Sequence, residues 1–402
     1  MTAMNIGIGV STEINPAQAA KSAVLQAMDN IYNQSSVTLA IVFGTIEFAN
    51  IITLKTINNL LGAVPIIGCS STAIITNKGI SNHGLIIMLL CLPKNIYVNT
   101  ALVEDIKSAP AMNAGQELGR KLLSGFKDVS RNFTLILSDG LMEDNSSLIY
   151  GLQERLGTNF PIVGASASDN LKFQKTYIYF NQELSSDAVC GLICGGKLNF
   201  GLGIKHGWKP LGKPNYVTKA SGNTVYEING ASAARLYEEY LACDIFQLKK
   251  SLKRISVFYP IGIHLEGEQE YLLRNILFVN DDGSLVFQGD VPQNSMIRLM
   301  IGSKESVLSS TREAAQEAKG NLSSKPDFVL VFDSISRYIL LKREASKELE
   351  IIKEIMGQDT PIIGLYTYGE HAPLKELGYK GKSYFHNQTI AVLAIGGVTE
   401  NG

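Results

Sequence analysis

Residues 366–371 read Tyr366-Thr367-Tyr368-Gly369-Glu370-His371, and residues 386–389 read His386-Asn387-Gln388-Thr389. Phenols, a hydroxyl, a carboxylate and an imidazole thus crowd into one short stretch, and a second polar cluster opens the next apolar run. A carboxylate such as Glu370 accepts an ammonium group. The hydroxyl, amide and imidazole donors of Tyr366, Thr367, His386, Asn387 and Gln388 suit the acid end of the same small zwitterion. Groups of this kind discriminate between ligands, because each one left unpaired in a buried site costs about 1–3 kcal/mol. Tyr368 extends the set with a second flat face.

These residues follow Pro361-Ile-Ile-Gly364, and the same signature occurs twice more, as Pro65-Ile-Ile-Gly68 and Pro161-Ile-Val-Gly164. Each copy is preceded by an apolar strand-like run (37–43, 133–137, 328–332). Each is followed, after a polar loop, by another such run (85–92, 189–194, 389–395). The pattern predicts a strand, helix, Pro-Ile-x-Gly strand, loop and strand unit used three times. The polar tails differ: Cys69, Ser70 and Thr72 follow the first glycine, and Ser166 and Ser168 the second. Chain leaving a strand end is where α/β proteins place ligand contacts, so these residues join the candidate site. If the strands at 361–364 and 389–397 are neighbours, the 366–371 and 386–389 clusters face one pocket.

The frame is an α/β fold of mixed sheets flanked by helices. A chain of 402 residues, 45% hydrophobic and 18% charged with 37 glycines, has ample material for two or three cores. Boundaries fall at 1–209 and 210–402, in a loop marked by Pro210, Gly212 and Pro214. The spans 259–265, 271–279 and 284–287 read as strands, the last two joined by a turn at Asp281-Asp282-Gly283. Basic and acidic residues balance, 36 against 37, without a dense basic patch, so nucleic acid is not the expected partner. No apolar stretch approaches a membrane span and no signal peptide is read, which points to the cytoplasm.

Other motifs read as structure. Five scattered cysteines form no disulfide framework. Cys190 and Cys194 fit a buried strand face, and Cys69 needs a basic partner before it can be a nucleophile. The pairs Gly7-Ile-Gly9 and Gly201-Leu-Gly203 lack dinucleotide-binding spacing. His206, beside Gly207-Trp208, and His264, in Gly262-Ile-His264, are the histidines placed to meet a flat cofactor such as haem through one axial nitrogen.

Several of these motifs resemble the FIST family, an N-terminal FIST domain joined to a FIST C-terminal domain, over nearly the whole chain. The resemblance rests on Val42-Phe43, Pro65 to Thr72, Pro161 to Asp169, Asp290-Val-Pro292, Phe332 to Arg337, Gly364 to Glu370 and Phe385 to Thr389. Asp333-Ser334 stands where the family often has a cysteine. The resemblance implies a non-enzymatic sensor of small ligands such as amino acids. It implies relay to a separate signalling protein, such as a histidine kinase or diguanylate cyclase. A haem-binding, nitric oxide-sensing subset supplies a second expectation, and an enzyme using Cys69 or Glu370 a third.

Overall fold

The computed structural model describes residues 4–32, 36–126, 129–268, 270–374 and 381–397. Three six-stranded sheets share one plan. In the first, the order is Asn5–Ser11, Leu85–Cys91, Leu39–Thr45, Ile66–Ser71, then the hairpin Ile178–Phe180/Glu183–Ser185. In the second it is Ile96–Glu104, Ala188–Gly196, Arg131–Ser138, Ile162–Ser166, then Gly369–Pro373/Ser383–His386. In the third it is Asn199–Lys205, Ile390–Gly396, Pro326–Ser334, Ile362–Thr367, then Ile74–Thr76/Gly79–Ser81. The Pro-Ile-x-Gly strand is parallel to the strand before it in every case, and the remaining pairs are antiparallel. Each terminal hairpin comes from a different unit of the chain, so the three sheets exchange hairpins in a closed cycle.

The inner strands are apolar at almost every position, as strands covered on both faces must be. Their inward residues, among them Phe43, Leu135 and Phe332, form one core shared by the three sheets. Two helices cover the outer face of each sheet: Pro16–Asp29 with Ile51–Leu61, Ala111–Leu123 with Asn145–Leu156, and Lys304–Gly320 with Ser346–Met356. Asn15, Asn50, Asp144 and Ser303 cap four of them by accepting backbone amides of the first turn. The two Gly-x-Gly pairs have a packing role. A Cβ on Gly7 or Gly9 would lie 1.9 or 1.7 Å from the carbonyl oxygens of Ala27 or Ala23, and on Gly201 or Gly203 1.7 or 2.0 Å from those of Ala318 or Ala314. These strands are floors on which a helix backbone rests.

Between the second and third sheets the chain builds a further eight-stranded sheet. Its order is Tyr271–Arg274, Ile261–His264, Met296–Ile301, Lys209–Ser221, Thr224–Ile228, Leu285–Phe287, Ile276–Val279, with Ala231–Ser232 beside Thr224–Ile228. Three expectations change here. The 209–214 stretch is strand rather than loop, and Pro214 falls where the ladder slips between Leu211 and Asn215. The 259–265 strand shortens to Ile261–His264, preceded by the helix Leu252–Phe258. The 271–279 strand breaks at Asn275, whose amide donates to Asn387 Oδ1 at 3.1 Å. Its two halves are the end strands of the sheet, which therefore curls back on itself.

Candidate functional site

The tips of the three Pro-Ile-x-Gly strands meet and bond to one another. Ser168 Oγ accepts the Thr72 amide (2.7 Å) and hydroxyl (3.0 Å) and donates to the Tyr366 carbonyl (2.6 Å). Ser70 Oγ donates to the Ser168 carbonyl at 2.9 Å, and the Tyr177 amide donates to it at 3.0 Å. Ser166 Oγ lies 3.0 Å from Ser138 Oγ. The amide of Tyr366 reaches the Ala73 carbonyl and that of Tyr368 the Ser166 carbonyl. Hydroxyls predicted to face a ligand thus face the neighbouring tip. Cys69 points away from them into the shared apolar core, and burial pushes its thiol well above the usual range, so it stays protonated.

The 366–371 and 386–389 clusters also meet, by a different route from neighbouring strands. Ile362–Thr367 and Ile390–Gly396 lie on either side of Pro326–Ser334, and the clusters come together in the hairpin where Glu370 pairs with His386. Thr367 Oγ1 donates to Glu370 Oε1 at 2.6 Å, while the Thr389 amide and hydroxyl donate to Oε2 at 3.1 and 2.7 Å. Burial raises this carboxyl to about 7 against those three bonds. His386 Nε2 donates to the Ala372 carbonyl at 2.9 Å, and His371 Nε2 lies 3.2 Å from Ser138 Oγ. Burial lowers both imidazoles to about 3, so both are neutral. Gln388 takes a left-handed φ of 63° and donates to the Ser256 carbonyl (2.8 Å) and to Asn275 Oδ1. The cluster therefore joins the second sheet to the eight-stranded one.

Tyr366 leads to a buried ionic group that residue types alone do not reveal. Its ring packs on Tyr338 at 4.7 Å, and its hydroxyl has no hydrogen-bond partner among the described residues. Nearby, Arg337 donates to Glu348 Oε1 (2.5 Å), Thr311 Oγ1 (2.6 Å), Ser310 Oγ (3.1 Å) and the carbonyls of His206 and Val307, with its Nε 3.0 Å from Asp333 Oδ1. Burial, reinforced by Glu348, holds the Asp333 carboxyl well above the carboxylate range. The i, i+4 spacing of Asp333 and Arg337 at the end of an apolar strand was the available signal.

Beside this knot opens a cleft of about 380 Å³, within the range of small-molecule sites. One wall is the loop after Asp169, whose carboxylate accepts the amides of Phe173 (2.9 Å), Gln174 (2.7 Å) and Lys175 (2.9 Å) and the Tyr368 hydroxyl. Asn170, Leu171 and Phe173 take left-handed φ values of 58°, 60° and 51°. Strained backbone of this kind persists where its surroundings over-determine it. The loop lays Phe173 flat against Tyr368, centroids 4.6 Å apart and planes 10° from parallel. The facing wall comes from Leu252–Phe258 and Ile276–Val279, through Lys253, Ser256 and Leu277. Ser336 and Ile339 line the cleft from the helix Ile335–Leu341. Among the predicted residues only Tyr368 lines it; Gln388 braces it from behind. Phe173, Lys253, Ser256, Gln288 and Ser336 were not foreseen, because four distant segments bring them together.

A larger groove of about 930 Å³ runs along the edge strand Asn5–Ser11. Its edge is already covered, since Gln26 accepts the Val10 amide and Asn30 donates to the Ile8 carbonyl. The two histidines proposed for haem do not fit an axial ligand. His206 accepts the Trp208 amide at Nδ1 (2.9 Å) and places Nε2 3.0 Å from Glu270, whose carboxyl it holds at about 2. His264 is exposed, its ring 5.8 Å from Tyr271, and neither lines the cleft. Among the described residues no group of three or more His, Cys, Asp or Glu is placed to hold a metal ion, and no helix is long and apolar enough to cross a membrane.

An α/β protein with joined strand tips and a ligand-sized cleft beside them has the build of a small-molecule binding protein. The FIST N domain matches residues 38–231 and the FIST C domain residues 233–373, and the chain belongs to the FIST family. The domains of that family are sensory domains that bind small ligands. An uncharacterised protein of Methanocaldococcus jannaschii, MJ1623, is 26% identical over 253 residues, 58% of this chain and 48% of that protein; this chain spans about half its length. Mb0898c of Mycobacterium bovis, also uncharacterised, is 21% identical over 97% of this chain and 98% of its own. Among solved structures, a cyanuric acid hydrolase from A. caulinodans covers 97% of this chain and 99% of its own at 10% identity and a TM-score of 0.37. A chorismatase covers 99% and 100% at 8% identity and a TM-score of 0.35. At those scores the likeness carries no functional reading.

Proposed function

We propose that this protein is a non-catalytic cytoplasmic sensor that binds a small ligand in the cleft between Phe173 and Leu277 and relays occupancy to a separate signalling protein, such as a histidine kinase or diguanylate cyclase. The observation that carries this reading is the cleft itself. It joins a strained loop, whose Phe173 stacks on Tyr368, to a helix and a strand of the eight-stranded sheet. A ligand there touches both parts and favours the arrangement it fits best, by no more than its difference in affinity for the two arrangements. The strand that lines the cleft through Leu277 carries Phe278 on the surface, 59% exposed, which offers a partner a surface tied to the site. The groups considered for catalysis, Cys69 and Glu370, are buried away from the cleft, and both oxygens of Glu370 are engaged by the protein. An ammonium site at Glu370 is therefore not the reading favoured here.

The test is a thermal-shift screen of the full-length protein against a broad metabolite library, run beside Phe173→Ala. Expected are compounds that raise the Tm of the parent by several degrees and leave the variant unmoved. Binders indifferent to Phe173, or none at all, would overturn the proposal.

A further inference from the structure

The chemistry of the cleft names the class of ligand, an inference that rests on the proposal that this cleft is the sensory site. Ser256 and Ser336 line it from two different helices and are only 8% and 4% exposed. Neither hydroxyl has a hydrogen-bond partner among the described residues, and neither oxygen is fully enclosed, so both are open to the cleft they line. Most of the neighbouring polar groups are satisfied within the protein: Gln288 donates to the Tyr368 carbonyl, and Tyr368 to Asp169. Two open hydroxyls on a wall otherwise closed point to a ligand with polar atoms at its inner end.

The rest of the wall limits what that ligand is. Phe173 and Tyr368 present stacked rings, and Leu252, Ile276, Leu277 and Ile339 are apolar. Such a surface takes a flat, largely apolar body. The single charged residue lining the cleft is Lys253, exposed and without an ion pair among the described residues. A cation with no carboxylate facing it suits an anion. The ammonium of an amino acid would meet no counter-charge there. We infer that the cleft binds small aromatic carboxylates, with the ring on the Phe173–Tyr368 side and the acid group held by Lys253 and the Ser256 and Ser336 hydroxyls.

The probes are benzoate and indole-3-carboxylate, with their carboxamides as neutral counterparts and phenylalanine and tryptophan as zwitterions. Calorimetry on the full-length protein reads each Kd. Expected is binding of at least one acid, with its carboxamide about tenfold weaker. Ser336→Ala should weaken the acid about tenfold. Lys253→Met should weaken it about threefold to tenfold, since an exposed charge is screened, and this loss should shrink in high salt. Lys253 is exposed, so this second variant folds whatever becomes of the first. Equal binding of acid and amide would overturn the assignment of an anion, and tighter binding of the amino acids would overturn it in favour of a zwitterion. Binding unmoved by Ser336→Ala and Lys253→Met would overturn the placement. If neither acid binds while the metabolite screen finds cleft ligands lost in Phe173→Ala, the class is wrong and the sensory cleft stands.

Discussion

Two serines show how one residue type serves two ends. Ser168, at a strand tip, has its hydroxyl surrounded by Thr72 and Tyr366. Ser336, on the wall of the cleft, is almost as buried and has no hydrogen-bond partner among the described residues. The first region is sewn shut by its own polar groups, and the second keeps them open. Burial and residue type do not separate a structural hydroxyl from a binding one; the partner does.

The sharpest break in the sewn region is Arg337→Leu. It leaves the Glu348 carboxylate buried without its cation, and a loss of about 4 kcal/mol or more is expected, read as failure to fold or a large fall in the urea midpoint. Acid should open the same region. His371 and His386 are held near 3 when folded, against 6.5 when free. The unfolded chain therefore binds more protons between those values, and stability falls as pH drops from 6.5. Each contributes about 2–3 kcal/mol by pH 4.5, to be measured by urea denaturation at pH 7 and 4.5.

Glu370 works in the opposite sense. Its folded value of about 7 lies above the 4.5 of a free glutamate, so its contribution is complete below 4.5 and is lost as pH rises to 7. The opposing slope, up to about 3 kcal/mol, should vanish in Glu370→Gln, which keeps the shape and can still accept from Thr389. An unchanged pH profile in that variant would show that the group does not titrate in this window. Ser168→Ala should cost about 2 kcal/mol by stranding the Thr72 donors and the Tyr366 acceptor. Ser336→Ala, smallest of all in stability, should stay within about 0.5 kcal/mol of the parent while ligand affinity drops. Equal destabilisation by the two alanine variants would erase the distinction between the regions.

Local sequence determined much of the frame. The apolar runs at 37–43, 133–137 and 328–332 could only be buried strands, and the Pro-Ile-x-Gly segments lie parallel beside them, because two-sided burial leaves its mark at nearly every position. The FIST signature was legible for the same reason, as short motifs at strand ends. Tertiary structure alone decided that each sheet borrows a hairpin from another unit, that Gly7 and Gly9 are a helix floor, and that Asn275 breaks a strand to meet Asn387. It also decided that Glu370 faces Thr367 and Thr389, while Phe173, Ser256 and Ser336 line one cleft. A hydroxyl or carboxylate carries its hydrogen-bonding capacity in its own chemistry. What it bonds to depends on residues far away in the chain, and here that choice separates scaffold from site.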